Sequence, residues 1–149
     1  PQSRNETNVF EGIRGLKMAY EQHIDGLEKN ESASVMVFVG SEFSQSRELR
    51  NFFSEVVDKK MIQKHCRSNM IANKSVHAVI KKDRPDLSLY TIKYLSPQFT
   101  LPYALNISRK EVMISVWGES PIVFTIKNPT VVQAFQKNFD HLWSIAKKN

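Results

Sequence analysis

Four histidines, one cysteine and a run of cations are the residues of this chain whose chemistry could reach beyond packing. His23, His65, His77 and His141 are scattered, and only His65 and Cys66 are neighbours. Met61 to Cys66 reads as a strand, in which adjacent side chains point to opposite faces, so this pair cannot share a metal ion. No metal and no cofactor are therefore expected. Cys66 has Lys64 and Arg67 nearby but no local acid–base partner, and a buried, inert thiol is the expectation. His141 falls beside the apolar stripe of the last helix, where a packed or rim histidine is commoner than a base. No catalytic residue is nominated, and the chain is expected not to be an enzyme.

Charge is unevenly spread. Formal net charge is +6, and eight cations from Lys59 to Arg84 face Asp83 alone. A solvated lysine-rich surface is the plain reading. A face that attracts phosphate, sugar phosphate or nucleic acid is the sharper one.

Two further groups suit a binding site. Val35 to Val39 is apolar on both faces, as in a central parallel strand, and runs into Gly40, Ser41, Glu42 and Phe43 before a helix. A loop at the carboxyl end of such a strand is where ligands sit. There is no GxGxxG or Walker pattern, so nucleotide binding is unsupported, and Ser46 is most simply a helix N-cap. Tyr90, Tyr94, Tyr103 and Trp117 lie on or just beyond strands. With Asn106 and Ser115 they could line a sugar pocket by stacking and directed hydrogen bonds, or they could fill core.

The elements that must position these residues are clearest at the end. Val112, Ile114 and Val116 alternate with Met113, Ser115 and Trp117, and Gly118 to Pro121 supplies a turn. Ile122, Phe124 and Ile126 resume the alternation. Asn128 is an N-cap and Pro129 the first helical residue, followed by an apolar stripe ending at Ala146. Earlier, Asn8 and Glu11 fit a capping box, predicting a first helix from Val9 to about Leu27 that contains Gly12 and Gly15. A helix follows Ser46 up to Lys60, a short helix is expected between Asn69 and Ile80, and strands at Leu89–Leu95 and Leu101–Ser108. Arg109-Lys110 turns the latter into the final meander. The fold class is α/β: a mixed, largely parallel sheet with helices on both faces, ending in a strand meander and a C-terminal helix.

At 149 residues the chain is one domain, with no repeat and no apolar run long enough to cross a bilayer. Lone Cys66 excludes an internal disulfide, so a reducing cytoplasm is the default. The polar residues 1–8 look like a linker or cut point, leaving 9–149 as the domain.

As a whole the chain resembles the C-terminal effector-sensing domain of the TrmB-type transcriptional regulators. Four stretches carry the likeness: VFEGIRGLKMAYEQHIDGL, SVMVFVG, YTIKYLSPQFTLPYALNI, and EVMISVWGESPIVFTIKNPTVVQAFQKNFDHLWSIAKK. The resemblance implies a phospholipase-D-like domain without its enzyme. Phospholipase D chemistry needs a histidine, a lysine two residues on, and a downstream aspartate. Here Asp25, Arg67, Val79 and Trp143 follow the four histidines at that spacing. It also implies a homodimer, and an N-terminal winged-helix DNA-binding domain presumed absent from this chain, through which alone DNA would be bound. The effector would be a small molecule such as a sugar or sugar phosphate, held by Gly40, Ser41, Glu42 and Phe43, with Asn106, Ser115 and Trp117. The alternatives are a degenerate phosphodiesterase using His65 or His77, and a basic nucleic-acid-binding domain using the Lys59–Arg84 cations.

Overall fold

The computed structural model describes residues 5–37, 46–74, 88–100 and 103–148. The first element among the described residues is a strand, not a helix: β1 is Glu6–Glu11, and α1 follows at Gly12–Asp25. Asn8 and Glu11 therefore form no capping box, and Glu11, at the N-cap position, makes no side-chain cap. What overrides the local pattern is pairing with a distant strand: β1 runs antiparallel to β7 (Ile122–Lys127), with Val9 opposite Phe124. Residues 6–8, expected to close a linker, are thus part of the sheet. Gly12 turns the strand directly into the helix with φ +73°, a conformation that other L-residues adopt at a cost. Gly15 lets the helix lie on the strand, since a Cβ there would stand 3.0 Å from the Phe10 carbonyl carbon.

β2 (Ser32–Val37) is central, as its two-sided apolar run implies. The helical stretch after Ser46 is longer than expected. It comprises α2 (Arg47–Phe52), a π-turn (Phe53–Val57) and α3 (Asp58–Gln63). Ser46 does cap it, its hydroxyl accepting from Leu49 N at 3.2 Å. Met61 to Cys66 is therefore not a strand: Phe53, Val57 and Met61 recur every four residues and are buried. The strand comes next, as β3 (Arg67–Asn73), where a short helix was expected; 75–80 lie outside the described residues. β4 (Tyr90–Leu95), β5 (Tyr103–Ile107) and β6 (Val112–Val116) follow as expected, then β7 and α4 (Pro129–Ile145).

The sheet order is β1-β7-β6-β5-β2-β3-β4. It is mixed, with helices on both faces: β2, β3 and β4 are mutually parallel, and the other pairings are antiparallel. The parallel part is thus the smaller arm, because the closing meander and β1 enlarge the antiparallel one.

Alternation assigns each strand residue to one of two cores. Leu16, Tyr20, Ile24, Phe53, Val57 and Met113 belong to the core under α1 and α2–α3. Met36, Ile71, Leu105, Ile107, Val132 and Phe139 belong to the core under α4. Asn128 caps α4 by accepting from Val131 N at 2.9 Å, with Pro129 in the first turn. At its other end Lys147 pairs with Tyr94 of β4, through bonds of 2.6 and 2.9 Å.

Candidate functional site

Between the α1/α2–α3 layer and the sheet lies a cavity of about 50 Å³. Register explains which residues reach it. On β5, Ala104 and Asn106 face this side while Leu105 and Ile107 face α4. On β3, Ser68 and Met70 line it while Ile71 points away. From above, Tyr20 and His23, three residues apart on one face of α1, complete the polar part of the wall.

The polar groups fall into two sets. The first is a chain in which Ser115 Oγ donates to Tyr20 Oη at 3.4 Å and Tyr20 Oη donates to Asn106 Oδ1 at 3.3 Å. The second is His23 and Ser68. His23 Nδ1 lies 2.7 Å from Glu111 Oε1, and both side chains are buried. With Nδ1 engaged by Glu111, Nε2 is buried without a partner among the described residues. Ser68 Oγ is likewise buried with no partner among the described residues.

The roof is the π-turn. Phe53 packs edge-on against Tyr20 at 4.8 Å between ring centroids and lies 6.4 Å from the Trp117 ring. A π-turn adds a residue to the helical turn, and such turns cluster at functional sites. Ser54 in the same segment donates to Arg50 O at 3.0 Å.

Of the residues nominated from sequence, Asn106 and Trp117 line this cavity, and Ser115 is buried beside it through Tyr20. Gly40, Ser41, Glu42 and Phe43 lie outside the described residues, as does His77. Val37, the last described residue of β2 before them, lines the cavity. Tyr90 also lines it and donates to Asp58 at 2.5 Å, whereas Tyr94 stands on the far edge against Lys147. Burial raises the Tyr94 phenol above its ordinary pKa. Sequence reading missed Tyr20, His23, Ser68 and Glu111. The signal for the first two was their shared face on α1; nothing local marked the others.

The remaining chemistry is dispersed. His65 is exposed in the turn after α3, with φ 56°, and lines a separate recess with Arg67. Cys66 is buried, its thiol donating to Glu28 O at 3.2 Å. No group of metal-ligating residues occurs among the described residues. The basic run is partly committed to holding the fold. Lys59 pairs with Glu55 at 2.6 Å and Lys60 with Asp25 at 3.0 Å. Lys64 Nζ donates to the carbonyls of Ile24, Asp25 and Leu27 at 2.8–2.9 Å, closing the end of α1. Residues 81–84 lie outside the described residues. No helix among the described residues is long and apolar enough to cross a membrane.

No protein-family model matches the chain, and no curated protein is similar to it in sequence. Solved structures do match. TrmBL2, an archaeal chromatin protein with a novel mode of DNA binding, is 14% identical with a TM-score of 0.67, over 95% of this chain and 52% of that one. The chain therefore spans about half the length of TrmBL2. Nuc of Salmonella typhimurium, a phospholipase D family member, is 10% identical with a TM-score of 0.67, covering 97% of each chain. NucT of Helicobacter pylori is 8% identical with a TM-score of 0.65, over 97% of this chain and 99% of that one. At such identities the likeness establishes architecture: the chain has the mixed α/β fold common to these phospholipase-D-like and TrmB-type proteins.

Proposed function

We propose that this chain is a non-catalytic, ligand-sensing and dimerising module of a TrmB-like transcriptional regulator. It binds a small effector and acts on DNA through a winged-helix domain outside the chain. The observation that carries the reading is the cavity in which Asn106 and Trp117 meet Tyr20, His23 and Ser68 under a π-turn. Buried, partly unpartnered polar groups among apolar walls are what orients a small ligand. The same walls are poor equipment for phosphodiester cleavage: among the described lining residues there is no lysine to stabilise a phosphoryl charge. His65, the described histidine of the phosphodiesterase alternative, lies elsewhere.

Sensing follows if occupancy moves the π-turn and α1, and with them the orientation of two protomers. A coupling of about 1–3 kcal/mol between effector and operator suffices. The test is a series of thermal melts against sugars, sugar phosphates, and short alcohols and amides. A saturable rise is expected for one class, approaching about 2.7 kcal/mol at a hundred times Kd, and Asn106→Ala should diminish it. No rise across the panel would count against sensing.

A further inference from the structure

The cavity also narrows what the ligand is, an inference that rests on the sensing reading above. Most of its wall is apolar, with Ile24, Val57, Met61 and Met70 contributing no hydrogen-bonding group. Among the described residues, His23 Nε2 and Ser68 Oγ are buried in this wall without a partner, on side chains of residues 3% and 1% exposed. The ring of His23 is held by Glu111 through Nδ1, which leaves Nε2 to donate or accept according to the charge of the ring, while the Ser68 hydroxyl can do both. A single hydroxyl or primary amide, which can both donate and accept, suits both groups. Charge is excluded on the same grounds. Among the described lining residues there is no Lys or Arg, and an anion stripped of water without a counter-charge is strongly disfavoured. Size points the same way: about 50 Å³ is well below the roughly 150 Å³ that admits benzene. A sugar, with a hydroxyl on nearly every carbon, would leave most of them facing apolar wall.

We infer that the ligand is a compact, uncharged molecule with an apolar body and one hydroxyl or amide head bridged by His23 and Ser68, and that it is neither a sugar nor a sugar phosphate. On the scale of about 150 Å³ for the six carbons of benzene, a cavity of about 50 Å³ holds roughly two heavy atoms.

The methyl resonances of Met61 and Met70 report on the wall, and that of exposed Met18 serves as a control. The full chain is titrated with ethanol, formamide, glucose and glucose 6-phosphate. The alcohol or the amide should shift Met61 and Met70 saturably and leave Met18 unmoved. Ser68→Ala should weaken that response several-fold, and Ala104→Leu, which fills the cavity from β5, should abolish it. Shifts that persist unchanged in both variants, or that include Met18 equally, would overturn the assignment. If glucose or glucose 6-phosphate shifts the two methionines and the small probes do not, the ligand class is wrong while the sensing role stands. If none of the four probes moves them and the broad melts also stay flat, both fail.

Discussion

His23 Nδ1 and Glu111 Oε1 stand 2.7 Å apart beneath the helix layer, joining the last turn of α1 to the first residue before β6. The pair does two things: it ties helix to sheet across 88 positions of sequence, and it fixes which ring nitrogen meets the cavity. Glu111→Ala should therefore cost about 3 kcal/mol, since a buried group loses its only acceptor. Glu111→Gln keeps an acceptor and should cost about half as much. Urea midpoints at unchanged m-value check both.

Phe53 holds the roof against Tyr20 and Trp117. Phe53→Ala should destabilise by about 3–5 kcal/mol, and Phe53→Leu by less. Both should increase the fluorescence change of Trp117 on adding an external quencher, measured in a Trp143→Phe background.

The start of the chain offers a paired test. Gly12→Ala places a side chain at φ +73° with nothing near it, so the cost is backbone strain alone, about 1–2 kcal/mol. Gly15→Ala meets the Phe10 backbone at 3.0 Å, which no side-chain rotation relieves, so β1 must shift. Amide exchange should separate them: Gly15→Ala accelerates exchange along Val123 to Thr125, and Gly12→Ala lowers stability without that local signature.

Asn128→Ala removes the α4 cap and should cost about 1 kcal/mol. Asn128 also donates to Asn5, ahead of β1, so exchange at the first residues of the sheet should rise with it.

His65→Ala should change neither the ligand response nor the stability by more than about 0.5 kcal/mol, as for other exposed sites. Phosphodiester turnover that this substitution abolished would revive the enzymatic reading.

The closing strand–turn–strand–helix unit was readable almost residue by residue because each of its decisions is local: alternation, turn chemistry, a cap and a proline. β1 was hidden for the opposite reason. Asn8 to Glu11 satisfies a helix-start pattern and a strand pattern equally well, and the deciding partner, β7, lies more than a hundred positions away. α3 was mistaken for a strand because Met61 to Cys66 was weighed apart from Phe53 and Val57, whose spacing it continues. At the cavity, Asn106 and Trp117 on its wall, and Ser115 behind Tyr20, were visible as polar or aromatic residues on or just beyond strands. Ser68, Tyr20 and His23 needed the third dimension, because only folding makes them neighbours.

α4 begins beside β1 and β7, where Asn128 reaches Asn5, and finishes at Lys147 on β4, the opposite margin. Seven strands spaced about 4.8 Å apart span roughly 29 Å, and the 17 residues of α4 reach about 25 Å. The closing helix is thus a diagonal brace of nearly matched length, clamped at both rims. Shortening it by one turn would force a choice between the two clamps, so the width of the sheet and the length of its last helix must change together or not at all.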